Sequence, residues 1–325
     1  MAFEYVDSAA HGTKRLDWEK FRNIVLPVPP LPEQHAITDF LDHETARIDA
    51  LIEEQQRLIE LLAEKRQSTL SRAATQGMTA DVATRDSGFE WLGQIPAHWE
   101  VGKLGHYASL QSGFALGNFE TTDNSVSVPY LRVANVQDGT IDLTDVKYVE
   151  VSASVVSRYS LRKGDVLMNE GGDNNKLGRG AVWNAELEPC LHQNHVFSIR
   201  PNEKLLAEWL SLFTKSDAGR VYFYLYSKQS TNLASISSTN IMNCPLPIPP
   251  VDEQRRILDQ LNTELSHLDR SDKASRQLIT LLQERRQALI SSCVTGKIDV
   301  RQARTRGRGV FADLPMYAEK ETPYG

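Results

Sequence analysis

Three side chains near the middle of the chain are of types that bind metal ions. Cys190, His192 and His195 form a Cys-x-His-x-x-His cluster, and thiolate and imidazole groups are common ligands of Zn²⁺. A structural zinc site needs four ligands, and no fourth candidate stands at a typical spacing from these three. The pattern favours half-buried side chains of one strand, so we predict no metal site.

Two glycine-rich stretches carry carboxylates that acid–base chemistry could use. They are Gly164-Asp165 and Gly171-Gly172-Asp173. Glycine and aspartate adopt the backbone angles that turns require, which favours turns over catalytic acids. The sequence has no Walker-type phosphate loop, dinucleotide glycine triplet, nucleophile elbow or zincin histidine pair. We predict no catalytic residue and no cofactor bound by the chain itself.

Several polar stretches carry side chains that suit contact with DNA. Arginine can read guanine, asparagine and glutamine can read adenine, and lysine and hydroxyl groups hold phosphates. Residues 174–179, 192–195 and 228–232 are of this kind, and Arg132 and Asn135 share one predicted strand. The candidate DNA-binding residues are Gln111, Arg132, Asn135, Lys176, Arg179, Gln193, Asn194, Lys228, Gln229, Thr231 and Asn232. For each of these residues taken singly, a place in a solvated loop without DNA contact is an open alternative.

An internal repeat indicates the elements that position these residues. Residues 26–34 read LPVPPLPEQ and residues 246–254 read LPIPPVDEQ, at an offset of 220. Twenty-one of the 53 positions between 23 and 75 are identical to their partners 220 residues later. The copies lie too far apart for a solenoid. They indicate one structural device that is used twice, with a large insert between the copies.

Each copy predicts a long helix after a proline-rich stretch. Prolines prevent a helix before the last of them, and residues 33–76 then contain no glycine or proline. Apolar residues at alternating spacings of four and three predict that each helix pairs with a partner. We expect the two helices to pair with each other as an antiparallel coiled coil. The predicted pairing residues are Ile37, Leu41, Ile48, Leu51, Leu58, Leu62, Ile257, Leu261, Leu268, Leu278, Leu282 and Leu289.

The insert between the helices has the pattern of one mixed domain. Short β-branched runs bounded by glycine turns predict strands, and two amphipathic runs predict helices. The predicted strands are 125–136, 147–151, 165–169, 180–184 and 195–200, and the predicted helices are 203–215 and 218–226. The expected fold class is therefore α+β, with one globular mixed α/β domain and two long helices.

Composition excludes several classes of protein. The chain has 325 residues, 24% charged and 41% hydrophobic, with a net charge of −6, which is typical of a globular protein rather than a disordered one. No apolar run of eighteen residues and no signal segment is present, and the three cysteines do not form a disulfide pattern. We expect a cytoplasmic protein without a membrane partner. Nine acidic and five basic side chains lie in residues 33–76, so the acidic net charge does not exclude a basic DNA-binding surface elsewhere.

The repeat and several strings resemble the specificity (S) subunit of type I restriction–modification enzymes. LPVPPLPEQ and LPIPPVDEQ resemble the starts of that family's conserved helical regions, and residues 60–78 and 280–300 resemble their ends. The string DSGFEWLGQIPAHWEVGKLGHYASLQSG (86–113) is similar to the opening of a target recognition domain. LRKGDVLMNEGGD (161–173) and CLHQNHVFSIRP (190–201) resemble the interior of such a domain.

The resemblance implies a subunit without catalytic activity. Target recognition domains of this family each read one half of a bipartite sequence in double-stranded DNA, and the helices separate the halves and dock modification (methyltransferase) subunits. The resemblance implies S-adenosylmethionine, ATP and magnesium for the modification and restriction subunits, not for this chain. A coiled-coil scaffold that binds protein and has no DNA specificity is the alternative, and salt-dependent binding to duplex DNA separates the two.

The sequence departs from the family pattern in having one complete recognition domain. The expected organisation is a remnant of a first recognition domain (1–24), the first proline-rich stretch and helix (25–80), the recognition domain (81–245), the second stretch and helix (246–300) and a tail (301–325). A truncated or half-length subunit is the interpretation that this organisation favours. Two copies could then associate as a homodimer of half-subunits and read a symmetric target.

Overall fold

The computed structural model describes residues 6–8, 14–16, 18–25, 28–117, 125–172, 177–178, 180–229 and 234–300. Two compact units make up the chain. One comprises residues 1–59 and 273–325, and the other comprises residues 60–272. None of the helices in the described ranges is long and apolar enough to cross a membrane.

The described residues form two long helices, several short helices and many short strands. The helices are α1 (Trp18–Arg22), α2 (Leu31–Gln76), α3 (Ala153–Tyr159), α4 (Ala207–Lys215), α5 (Asp217–Leu225), α6 (Ser238–Met242) and α7 (Val251–Val294). The strands are β1 (Val6–Ser8), β2 (Lys14–Leu16), β3 (Thr84–Asp86), β4 (Gln94–Pro96), β5 (Glu100–Lys103), β6 (Ala108–Ser112), β7 (Ser125–Leu131), β8 (Lys147–Ser152), β9 (Val166–Asn169), β10 (Gly171–Gly172), β11 (Gly180–Val182), β12 (Leu191–His192), β13 (Val196–Pro201), β14 (Lys228–Gln229), β15 (Ala234–Ser235) and β16 (Pro245–Ile248). The predicted α+β class is confirmed.

Small sheets build the globular domain between the long helices. A four-stranded antiparallel sheet has the order β11-β9-β13-β6, and a three-stranded sheet has the order β12-β7-β8. A second three-stranded sheet, β10-β15-β14, is antiparallel throughout. The predicted strands and helices of this domain are present, with corrected ends. The strand predicted over 125–136 ends at Leu131, and Val133–Asn135 forms a 3₁₀ turn. The helix predicted over 203–215 begins at Ala207.

The core of the unit 60–272 is rich in aromatic side chains. Trp99 and Trp209 are almost fully buried and meet edge to face, with ring centroids 5.6 Å apart. The Trp209 indole N–H donates to the Pro247 carbonyl at 3.0 Å. This bond satisfies the polar end of a buried indole and ties β16 to the core. The start of α7 is thus held by the globular domain.

The two long helices run antiparallel within the unit 60–272. Arg66 of α2 pairs with Asp269 of α7, and Arg72, six residues later, lies 3.7 Å from Glu264, five residues earlier. In the other unit, the Asp49 carboxylate accepts from Arg286 at 2.9 and 3.2 Å. Arg66 and Arg286 are repeat equivalents, as are Asp49 and Asp269. The two copies therefore form reciprocal ion pairs, as expected for repeats that pair with each other.

Most of the predicted pairing residues are buried or half-buried, but three are not. Leu51, Leu58 and Leu278 are 46, 41 and 41% exposed, whereas the isoleucine that follows each of them is half-buried. Periodicity alone cannot choose between two adjacent apolar residues. The apolar seam of each helix therefore passes through Ile52, Ile59 and Ile279, and the three leucines face outward.

Candidate nucleic-acid interface

Two polar segments follow from the same end of the sheet β10-β15-β14. Gly172 and Gln229 are both in register with Ala234. Residues 173–176 continue from Gly172, and residues 230–233 join Gln229 to Ala234. Gly172 and Gln229, after which the two segments follow in the sequence, therefore lie on either side of Ala234. The predicted DNA-binding residues Lys176, Arg179, Thr231 and Asn232 lie outside the described residues.

The turn at 193–195 lies against the same sheet. Ile236, which follows β15, donates its N–H to the Glu170 carbonyl at 2.8 Å, and Glu170 donates its N–H to the His195 carbonyl at 2.9 Å. The His195 Nδ1 atom lies 2.7 Å from a carboxylate oxygen of Glu170. The Asn194 amide nitrogen lies 3.3 Å from the other ring nitrogen of His195. The turn is thus joined to the sheet by backbone hydrogen bonds through Glu170, and we treat the two as one surface.

This surface contains four of the predicted DNA-binding residues. Lys228 and Gln229 on β14 are exposed, and Gln193 and Asn194 in the turn are half-buried. Together with Glu170 and His195 they form what we call the recognition face. It offers a cation for a phosphate and the exposed side-chain amide of Gln229 for a base edge. The Gln193 side-chain oxygen accepts from the Val133 N–H at 3.4 Å, so Gln193 offers its amide N–H groups, and Asn194 offers its side-chain oxygen.

Sequence reasoning did not include Glu170 and His195 among the contact residues. Both belong to strings that carry the family resemblance, Glu170 within LRKGDVLMNEGGD and His195 within CLHQNHVFSIRP. Their positions in the sequence gave no sign that the two side chains meet. Val196 of β13 is in register with Asn169 of β9, and this register brings the adjacent residues His195 and Glu170 together. The face thus contains a carboxylate and an imidazole in direct contact.

Arg132 and Asn135 occupy different surroundings from those predicted. Asn135 lies in the 3₁₀ turn and is 3% exposed. Its side-chain oxygen accepts from the Arg132 N–H at 2.8 Å, and its amide donates to the carbonyls of Asp142 and Asp145 at 2.8 and 3.0 Å. Because its hydrogen bonds are used inside the domain, we remove Asn135 from the proposed contact set. The Arg132 guanidinium is paired with the Asp145 carboxylate at 2.7 Å.

Gln111 also lies apart from the recognition face. It is half-buried on β6, in register with Ser198 of β13. Its side-chain amide donates to the Arg158 carbonyl at 2.8 Å. The structure therefore uses this amide to hold the end of α3, and sequence spacing alone gave no sign of that partner.

The three side chains of metal-binding type point to separate partners. The His192 ring is buried and its Nδ1–H group donates to the Val196 carbonyl at 2.8 Å. His195 pairs with Glu170, and buried Cys190 belongs to an apolar cluster with Trp183 and Val196. Within the described ranges, no three His, Cys, Asp or Glu side chains are placed to hold a metal ion.

Burial of His192 predicts a loss of stability in acid. Burial lowers the pKa of this imidazole from its ordinary value of 6.5, so the folded state holds it neutral while the unfolded chain protonates it below about pH 6.5. The free energy of unfolding should fall as the pH drops below that value, by up to about 1.4 kcal/mol per pH unit. In urea unfolding between pH 7.5 and 5, His192→Gln should flatten this slope. Exposed His267→Gln is the control, and equal slopes in both variants would contradict the assignment.

Comparison with known proteins identifies the family. The sequence pattern described as Type I restriction modification DNA specificity domain matches residues 3–61 and 96–280. The chain is 23% identical over 294 residues to the EcoKI specificity subunit of Escherichia coli (strain K12), covering 90% of this chain and 61% of that protein. It is 25% identical over 296 residues to the MjaVIII specificity subunit of Methanocaldococcus jannaschii, covering 89% of this chain and 66% of that protein.

Solved structures show the same fold. A chain from a structure of a type I R-M system aligns with a TM-score of 0.65 and 19% identity, over 90% of this chain and 67% of that one. The HsdS subunit from Thermoanaerobacter tengcongensis aligns with a TM-score of 0.54 and 18% identity, over 87% of this chain and 63% of that one. The chain spans about three fifths to two thirds of the length of these relatives. Since the family pattern covers more than half of its residues, the chain belongs to the type I restriction modification DNA specificity domain family.

Proposed function

We propose that this chain is the non-catalytic subunit of a type I restriction–modification complex that reads one half-site of a bipartite DNA target. The observation that supports the proposal is the recognition face, where Lys228 and Gln229 of β14 are exposed and the turn that carries Gln193 and Asn194 is joined to the same sheet through Glu170. Amide side chains suit adenine edges, and an exposed lysine suits a phosphate. Methylation and cleavage, with S-adenosylmethionine, ATP and magnesium, then belong to the modification and restriction subunits.

Charge reversal on the recognition face tests the DNA-binding part of the proposal. With random-sequence duplex DNA as the probe, Lys228→Glu should weaken binding by about tenfold at low salt and reduce the slope of log Kd against log salt by about 1. Lys204→Glu is the matched control. His195 precedes β13 and Lys204 follows it, and the six residues of this strand span about 20 Å. Equal effects of both variants, or binding without salt dependence, would favour the protein-binding scaffold.

The helices carry a second feature that supports docking of methyltransferase subunits. Leu58 and Leu61 of α2 are 41 and 54% exposed, and their repeat equivalents Leu278 and Leu281 of α7 are 41 and 58% exposed. Each copy thus presents the same pair of leucines one helical turn apart. Exposed apolar pairs at helical spacing suit a partner helix. Two equivalent pairs support two copies of the docking partner.

Charged substitutions in these leucine pairs test the docking proposal. Leu58→Glu combined with Leu278→Glu should weaken binding of the modification subunit by about a hundredfold, as measured by co-purification. A leucine that becomes buried in the interface contributes about 1.5–3 kcal/mol to the binding free energy. Gln56→Glu combined with Gln277→Glu adds the same charges at exposed polar positions and should leave assembly unchanged. Loss of assembly in the glutamine variant as well would show that charge, not apolar contact, decides it.

A further inference from the structure

The backbone of the turn in the recognition face is held at both ends. The Val196 N–H donates to the Gln193 carbonyl at 2.8 Å, which closes the turn and makes Asn194 and His195 its two central residues. The Gln193 N–H donates to the Leu131 carbonyl at 2.8 Å. Since the backbone is fixed in this way, the groups that Asn194 offers to a ligand depend on how its side-chain amide is turned.

Glu170 lies beside this turn and contacts His195 twice. The Glu170 N–H donates to the His195 carbonyl at 2.9 Å, which fixes the two backbones relative to each other. A carboxylate oxygen of Glu170 lies 2.7 Å from the His195 Nδ1 atom. The two side chains are 35 and 57% exposed, so this contact lies at the surface that a ligand would meet.

The contact with Glu170 decides which ring nitrogen of His195 carries a proton. An ionised carboxylate only accepts hydrogen bonds, so the Nδ1 atom must be the one that carries the proton and donates it. A neutral imidazole has a single N–H group, and its other nitrogen is a bare acceptor. The Nε2 atom of His195 is therefore left as an acceptor.

The bare Nε2 atom in turn orients the side-chain amide of Asn194. The amide nitrogen of Asn194 lies 3.3 Å from this ring nitrogen. Only the NH₂ end of an amide can donate to a bare nitrogen, and the opposite orientation would place two acceptors against each other. The amide therefore uses one N–H on the histidine and leaves its oxygen and its second N–H for a ligand.

An amide oxygen held in this orientation distinguishes two classes of base. In the major groove adenine and cytosine present the amino groups N6 and N4, whereas guanine and thymine present the oxygen acceptors O6 and O4. An oxygen acceptor fits an amino group and is repelled by another oxygen. An amide that turns freely can serve both classes, because one end donates and the other accepts. Loss of the orientation should therefore relax the choice of base.

We infer that Glu170 is a positioning residue that acts through His195 and holds the Asn194 side-chain oxygen as an acceptor for the amino group of a base. The base pair position that Asn194 contacts is then read as adenine or cytosine. Glu170 does not need to touch the base in this role. The inference rests on the proposed function for the identity of the ligand, a base in duplex DNA, and not for the hydrogen bonds within the protein.

Nitrogen NMR of the full chain with ¹⁵N-labelled histidine tests these hydrogen bonds without DNA. A protonated and a bare ring nitrogen give well-separated signals, and His195→Gln identifies the signals of His195 among those of the eight histidines. At mildly alkaline pH the parent chain should carry the His195 proton on Nδ1. Glu170→Ala should shift it towards Nε2, because Nδ1 has then lost its acceptor. A proton on Nε2 in the parent chain would overturn the inference.

Selection from a library of randomised duplex DNA tests which base is read. The full chain binds the library, and the bound duplexes are sequenced after successive rounds. Asn194→Ala identifies the position that Asn194 reads, as the one where the enriched motif loses its preference. At that position the parent should favour adenine or cytosine over guanine and thymine. Glu170→Ala should reduce this preference by about tenfold and leave the other positions unchanged.

Glu150→Ala is the matched control, because it removes an exposed carboxylate from β8 in a different sheet. It should leave both the tautomer of His195 and the motif as they are in the parent. A motif that Asn194→Ala or Glu170→Ala leaves unchanged would overturn the inference. Preference of the parent for guanine or thymine at the Asn194 position would do the same, and this result needs no folded Glu170 variant. Absence of any enriched motif with the parent would instead overturn the proposed function.

Discussion

Replacing Asp165 by asparagine is expected to lower the free energy of unfolding of the recognition domain by about 3–5 kcal/mol. The Asp165 side chain is 0% exposed and accepts two hydrogen bonds from the Arg200 guanidinium at 2.7 Å. It also accepts from the Ser198 hydroxyl and the Arg162 N–H, both at 2.9 Å. An asparagine would lose the charge and turn an N–H group towards one of these donors. Since Arg200 is 32% exposed and keeps some hydration, the lower end of the range is expected.

Urea unfolding of the two proteins at pH 7 measures this effect. The matched control is Asp145→Asn, because Asp145 also accepts from an arginine at 2.7 Å but is 86% exposed. An exposed pair contributes about 0–1 kcal/mol, so the control should change little. Similar losses of unfolding free energy in the two variants would contradict the argument that burial of Asp165 strengthens the contribution of its ion pair. The turn at Gly164-Asp165 was predicted from residue type, and the contacts show that its carboxylate stabilises the sheet.

Replacing Gln254 by alanine should cost about 2–4 kcal/mol of unfolding free energy, because it removes a buried side chain and leaves three half-buried or buried backbone groups without partners. The groups are the Leu206 N–H and the carbonyls of Lys204 and Pro249. They join the start of α7 to α4, so the variant should also loosen the start of the long helix. Hydrogen exchange at the amides of Leu246 and Ile248, the two residues of β16 that carry an N–H, is the local measurement, and faster exchange is expected there.

The repeat supplies a matched control for this prediction. Gln34→Ala removes the equivalent side chain, which is exposed and makes the same bond to the preceding proline-rich stretch. It should change stability by less than about 0.5 kcal/mol. An equal loss in Gln34→Ala would show that the local turn, not the contact with the domain, accounts for the cost. Gln34→Ala and Gln254→Ala are thus expected to differ in their effect on stability, because only Gln254 is buried against the globular domain.

The family and the outline of the fold could be predicted from the sequence because they depend on patterns that persist along the chain. The repeat at offset 220 and the glycine-free run 33–76 indicated two long paired helices, and glycine turns between β-branched runs indicated the strands. These signals are local or periodic, so they need no knowledge of which residues meet in space.

The recognition face was predicted only in part. Gln193, Asn194, Lys228 and Gln229 were candidates by residue type. The pairing of β14 with β15, and the backbone hydrogen bonds that Glu170 makes to Ile236 and His195, decide that both pairs belong to one sheet and its adjoining turn. Asn135 was an equally good candidate by type, but its side chain satisfies the backbone of a 3₁₀ turn instead. Residue type gives a side chain's capacity for hydrogen bonds, and only packing determines which groups use that capacity.

The sequence by itself determined the two copies, their helices and the absence of a recognisable catalytic motif, because each of these is encoded in order along the chain. Tertiary structure alone decided that Ile52 rather than Leu51 lies in the apolar seam, and that Gln254 is buried while Gln34 is exposed. The physical reason is the same in both cases. Burial depends on what packs against a residue, and adjacent or repeated residues of the same type differ only in that.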